Sequence, residues 1–194
     1  MNLVILGPPG SGKGTVCKRL ENEFDYKYIC AGDLLRSEKS SGSTLGNKIA
    51  SIIDAGNLVP DEVITKIMFK EIAKPLRIGT SYLVDGYPRT IKQASDLDAM
   101  IKVPIVIWLN VSDDTILQRN LKRGETSGRP DDANPEVIKK RIENYKKDSL
   151  PLKTHYDDML IEIDGEGTPD EVYKRVVDTL FQTVIEPKDI TDII

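Results

Sequence analysis

The chain of 194 residues is poor in the side chains that build metal clusters and disulfide frameworks. It has two cysteines and one histidine. Cys17 and Cys30 form no CxxC pair, and His155 has no cysteine or histidine at zinc-ligand spacing. The thiols are expected to be reduced, small and buried. No serine or cysteine nucleophile motif accompanies His155, which reads as an ordinary helix residue. Basic residues are not in excess: 27 Lys and Arg stand against 31 Asp and Glu, a net charge of -4. That balance argues against nucleic acid or an acidic membrane as the main partner. No apolar stretch is long enough to span a bilayer, and the glycine-rich loop begins too early to leave room for a signal peptide, so a cytoplasmic protein is expected. Internal repeats are absent as well.

What is present reads as one globular domain, with 39% hydrophobic and 30% charged residues. Short apolar runs at 3–6, 28–30, 82–84, 105–109 and 160–163 have the length and composition of buried parallel strands. Helical periodicity fills the gaps. Val16, Leu20 and Phe24 share one face, Leu45, Ile49, Ile52 and Ile53 a second, and Ile91, Ala94, Leu97 and Ile101 a third. Gly56 stands where a helix C-terminal cap is expected. Strands alternating with helices predict a doubly wound α/β sheet. Two polar segments, 37–46 and 124–135, break the rhythm and are expected to be mobile covers over a site rather than core. The tail, 186–194, is expected to fray, and Trp108 to be core.

Residues 7–15 read GPPGSGKGT. Gly7, Gly12 and Lys13 satisfy the G-x-x-x-x-G-K frame of a phosphate-binding loop, with a strand before it and a helix after. Glycines let successive backbone N–H groups converge on phosphate oxygens, and the helix N-terminus adds positive potential. Lys13 supplies a compact charge for the β- and γ-phosphates. Gly14 follows the lysine where most such loops carry the Ser or Thr that holds magnesium, so looser contact through water is expected. The dinucleotide pattern G-x-G-x-x-G is not met, and no N-K-x-D guanine motif occurs, which weighs against a GTP switch. Asp85 ends the third apolar run, where an acidic residue can order the waters of a metal ion.

The ordered series GPPGSGKGT, AGDLLR, GNLVP, VDGYPR and RGETSGRPDD resembles the adenylate kinase family and its sister UMP/CMP kinases, over nearly the whole chain. The resemblance implies a five-stranded parallel sheet in a P-loop kinase spanning 1–194. Residues 30–59 would cover the monophosphate, and a short lid at 122–132, without cysteines for structural zinc, would close over ATP. The reaction implied is phosphoryl transfer from Mg-ATP to a nucleoside monophosphate, with Mg²⁺ as cofactor and a monomer as the working unit. Gly10, Ser11, Gly12, Lys13, Gly14, Thr15, Arg119, Arg123 and Gly167 would bind ATP. Ala31, Arg36, Asn57, Leu58, Val59, Gly86, Arg89, Gln93, Arg129 and Arg141 would bind the monophosphate. Lys13, Asp85, Arg89, Arg123, Arg129 and Arg141 would carry the chemistry, Asp85 holding the metal through water. Arginine suits the work because its planar fork grips phosphate oxygens in pairs. Asp33 would cap its helix or touch the metal's hydration shell. Asp131 and Asp132 would pair with lid arginines on closure or form surface pairs. Gln93 can offer a donor and an acceptor to a base edge, and with PRTIKQA and GNLVP it favours AMP. Ala31, where many adenylate kinases have threonine, favours UMP or CMP.

Overall fold

The computed structural model describes residues 2–103, 105–127 and 130–185. Five strands, β1 Leu3–Leu6, β2 Lys27–Cys30, β3 Tyr82–Asp85, β4 Val106–Asn110 and β5 Leu160–Asp164, form one parallel sheet in the order β2-β3-β1-β4-β5. The registers set Leu3 beside Leu83, Val4 beside Val106 and Ile107 beside Ile161. Each expected strand is present with its ends within one residue of those expected, β4 lying one residue later in the chain. Between β1 and β2 lies α1 (Lys13–Phe24). Three helices separate β2 from β3: α2 (Ala31–Ser40), α3 (Thr44–Asp54) and α4 (Asp61–Ile78). One helix, α5 (Ile91–Met100), precedes β4. The stretch before β5 holds α6 (Asp113–Ser127), α7 (Pro130–Ala133), α8 (Pro135–Asn144), a π-type turn (Tyr145–Ser149) and α9 (Leu152–His155). The described chain ends in α10 (Pro169–Ile185).

The central strands β3, β1 and β4 are apolar up to their last residue because both faces of the sheet are covered there, whereas the edge strands β2 and β5 carry Lys27, Glu162 and Asp164. Alternate side chains take opposite sides. Val4 and Leu6 join Met68, Ile72, Leu97 and Leu152 on one side. Leu3 and Ile5 join Val16, Leu20, Val176 and Leu180 on the other. Trp108 is fully buried on the first side, as expected. Two apolar positions on the expected helical faces are exposed. Phe24 is 40% and Ile91 42% exposed. Phe24 ends α1 and meets Phe181 edge-on at 5.9 Å, and Ile91 begins α5. Cys17 is buried, whereas Cys30 is only half-buried, and both are free thiols.

The polar segment 37–46 is more ordered in architecture than its Ser/Gly content implied. Residues 37–40 finish α2, and Ser43 caps α3 by accepting a hydrogen bond from the Gly46 N–H at 2.8 Å. Gly56 has φ 73° just past α3, as its position predicted. Gly46 is required by close packing: a Cβ there would lie 2.2 Å from the Glu38 carbonyl oxygen. Gly46→Ala must push α3 away from α2, at a cost of about 1–3 kcal/mol. A melting temperature unchanged from the wild type would contradict this packing account.

Candidate active site

The C-terminal ends of β1 and β3 open onto a cavity of about 620 Å³. The glycine-rich loop leaves β1 and winds into the first turn of α1, which carries no acidic residue to neutralise its positive end. Gly10 takes φ 82°, and a Cβ there would stand 2.4 Å from Asn120 Nδ2. Asn120 is fully buried; its Nδ2 donates to the Pro9 carbonyl at 3.1 Å and the Ile116 carbonyl at 2.7 Å. Lys13 Nζ donates to the Gly7 and Pro8 carbonyls at 2.8 and 2.7 Å and to Ser11 Oγ at 3.2 Å. Burial pulls the Lys13 ammonium down to about 8; Asp85 opposes that fall, and Arg89 and Arg123 add to it.

Asp85 is 6% exposed at the end of β3. Its Oδ2 accepts from the Tyr28 hydroxyl at 2.7 Å, while Oδ1 has no hydrogen-bond partner among the described residues. Burial, then Asp85, push the Tyr28 phenol far above its usual value, so it remains a donor. A Cβ on Gly14 would lie 3.3 Å from Tyr28 Oη and 3.7 Å from Asp85 Oδ2. The missing side chain after Lys13 therefore leaves room for the Tyr28–Asp85 pair.

Five of the six expected arginines line the cavity: Arg36, Arg89, Arg119, Arg123 and Arg141. Arg129 lies outside the described residues. Arg36 Nη2 donates to Asp33 Oδ1 at 2.5 Å, so Asp33 orients this guanidinium, a use beyond the cap or metal contact expected of it. Arg89 Nε donates to the Gly86 carbonyl at 2.8 Å, and Ser149 Oγ donates to the Arg89 carbonyl at 2.9 Å. Burial and the neighbouring Arg141 hold the Arg89 guanidinium below its ordinary value, the electrostatic mark of a site short of anions. Arg119 donates to the Gly165 and Gly167 carbonyls, each at 2.9 Å, and so holds the turn after β5.

Asp132 is not a surface partner. It is fully buried and takes two hydrogen bonds from Arg123, Nε and Nη2 both at 2.6 Å, and one from Arg141 Nη1 at 2.7 Å. Burial raises its carboxyl, but Arg123 and Arg141 together overcome this and hold it below the usual carboxylate value. Arg123 Nη2 also donates to Asn120 Oδ1 at 2.7 Å, which ties it to the buried amide behind the glycine loop.

Ala31, Asn57, Leu58, Val59, Gly86 and Gln93 line the same cavity, as do Gly10, Ser11, Gly12, Gly14, Thr15 and Gly167. Apart from Arg129, the site residues expected from the sequence thus come together. Sequence reasoning missed Tyr28, Asp61, Asn120 and Ser149. None stands in a phosphate-binding pattern; each acts through a partner distant in the chain.

The adenylate kinase family profile matches residues 5–161. The chain belongs to the adenylate kinase family. Adenylate kinase isoenzyme 1 of Rattus norvegicus is 40% identical over 177 residues, covering 90% of this chain and 91% of the relative. Adenylate kinase of Hyphomonas neptunium is 39% identical over 191 residues, covering 94% and 100%. The Thermus thermophilus adenylate kinase is 37% identical over 181 residues, covering 90% and 94%. Family membership and the parallel five-stranded sheet agree. Among the described residues, no helix is long and apolar enough to cross a membrane, and no cluster of three His, Cys, Asp or Glu residues could hold a metal ion.

Proposed function

We propose that the protein is an adenylate kinase that moves the terminal phosphoryl group of ATP onto AMP, giving two ADP. The support comes chiefly from one continuous cavity. It is lined by the glycine loop and Lys13, by Ala31, Arg36, Asn57 and Gln93, and by Asp85, Arg89, Arg123 and Arg141. In this reading the loop N–H groups and Lys13 receive the ATP phosphates, and Arg119 with the Gly167 turn flanks the ATP base. Arg36 and Arg89 grip the acceptor phosphate. Arg123, Arg129 and Arg141 meet the charge that spreads over the transferring group. Residues 30–59 close over the acceptor and 122–132 over ATP, excluding the water that would otherwise take the phosphoryl group.

The residues fit a magnesium ion carried on the triphosphate. Asp85 lines the cavity and engages the Tyr28 hydroxyl through Oδ2 alone, which leaves Oδ1 as a hard oxygen suited to ordering metal-bound waters. Magnesium, when bound, supplies charge neutralisation at the β- and γ-oxygens. The same reading takes the protein as a cytoplasmic monomer, with both thiols free.

A pyrimidine acceptor is the second reading, favoured by Ala31, which is buried in the cavity wall and offers no hydroxyl. Mixing the protein with Mg-ATP and each of AMP, UMP, CMP and GMP separates the two. ADP formation with AMP at the highest kcat/KM is expected. Turnover only with UMP or CMP moves the assignment to the sister group, and no turnover with any acceptor overturns the kinase reading.

A further inference from the structure

Gln93 is 2% exposed, and both ends of its side-chain amide are already engaged. Its Oε1 accepts from the Arg89 backbone N–H at 2.7 Å. Its Nε2 donates to Asp61 Oδ1 at 2.7 Å. The other carboxylate oxygen of Asp61 accepts from Thr90 Oγ1 at 3.0 Å, and Thr90 Oγ1 in turn accepts from the Gln93 N–H at 3.1 Å. A backbone N–H can only donate and a carboxylate can only accept. The two partners therefore force one orientation on the amide: turning it over would set NH₂ against N–H and carbonyl against carboxylate.

We infer that Asp61, the first residue of α4, is a positioning residue for acceptor-base specificity, locking the Gln93 amide in one of its two orientations. The inference rests on the reading of Gln93 as the base-reading residue. An amide has two donors and two acceptor lone pairs, so one N–H and one lone pair remain after the internal bonds. Gln93 lines the cavity, where that remaining pair meets the acceptor. Donor and acceptor stand in a fixed order. An edge with an amino group beside an unprotonated ring nitrogen, as in adenine, matches that order. An edge with a carbonyl beside a ring N–H, as in hypoxanthine, reverses it and faces like with like. A glutamine free to turn over would serve both edges; a locked one rejects the second because buried polar groups are then left unpaired. Nothing about Asp61 in the sequence marks it for this task, since an acidic residue in the first turn of a helix is ordinary.

AMP and IMP differ at this edge and share purine, ribose and phosphate, so they are the probes. The kcat/KM ratio of AMP to IMP is measured for the wild type, Asp61→Ala, Asp61→Asn and Gln93→Ala, with KM for ATP and thermal melting alongside. Asp61→Ala is expected to lower the ratio about tenfold, the scale of one buried hydrogen bond, through the KM of the two acceptors, with KM for ATP unchanged. Asp61→Asn keeps one oxygen that can face Gln93 Nε2 while its NH₂ faces Thr90 Oγ1, and is expected to restore most of the ratio. A merely structural role would lower stability and the kcat for both acceptors together, leaving the ratio intact. If Gln93→Ala lowers the ratio and Asp61→Ala does not, the lock is wrong and the base assignment stands. If neither moves it, the assignment of Gln93 falls and the lock with it.

Discussion

Replacing Arg89 by lysine is expected to lower kcat about 10³-fold, the lower end of what a phosphate-directed arginine contributes to phosphoryl transfer. The substitution keeps the positive charge, so the loss isolates geometry. Arg89 lies in the cavity with Nε fixed on the Gly86 carbonyl and its own carbonyl fixed by Ser149. That leaves the Nη groups as a paired fork for oxygens that are not part of the protein. Lysine offers a single rotating ammonium on a flexible stem and cannot hold two oxygens in one plane. Steady-state kinetics with ATP and AMP checks the expectation, and turnover within a few-fold of the wild type would remove Arg89 from the chemistry. Melting is measured alongside, because the hydrogen bond from Arg89 Nε to the Gly86 carbonyl is also altered and a folding defect must be told apart from a loss in the chemistry.

The second large effect is on stability, at Asp132. Asp132→Asn keeps the shape of the side chain and removes the charge that faces Arg123 and Arg141. Those guanidinium groups are 33% and 21% exposed, so water offsets part of the loss, which leaves about 2 kcal/mol rather than the larger figure of a fully buried pair. For a chain of this length that is a fall in melting temperature of about 4–8 °C. The pH dependence follows from the direction of the shift. Because the native carboxyl is held below its unfolded value of 3.8, its stabilising effect is complete above that value. As the pH falls below 3.8 and through the lowered native value, the effect is lost. The wild type and the variant should therefore melt apart at neutral pH and converge in acid. Saturating ATP should also narrow the gap, since phosphate oxygens can take the place of the missing carboxylate. A gap that is the same at every pH would mean that charge is not what Asp132 contributes.

The central strands were legible because burial on both sheet faces demands an unbroken apolar run, a local signal that needs no partner to be seen. The glycine loop was legible for a similar reason: its function is written in backbone conformation, and Gly10 and Gly12 at positive φ leave that mark in the sequence. Side-chain assignments beyond the loop came from the resemblance of ordered motifs rather than from physical necessity, and Arg36, Arg89, Arg123 and Arg141 do meet in one cavity. Pairings between distant residues were not legible. Asp132 sits in a polar Gly/Pro-containing stretch whose composition signals solvent, yet two arginines nine residues away on either side bury it. Asp61 is 32 residues from Gln93, and nothing in local periodicity links them. Helix ends also misled the reading: Phe24 and Ile91 keep the right spacing but are the last residue of α1 and the first of α5, and both stay exposed.

Helix α6 carries Arg119, Asn120 and Arg123 within little more than a turn. The first fastens the 165–167 turn, the second the back of the glycine loop, and the third the buried carboxylate of Asp132. These attachments make α6 a rigid crank. A tilt of α6 would pull on the glycine loop and on the 165–167 turn at once. In the proposed reading, where that loop and turn receive ATP, its arrival and a tilt of α6 would be geared to each other, and a substitution that loosens any one attachment would let the other two slip out of step.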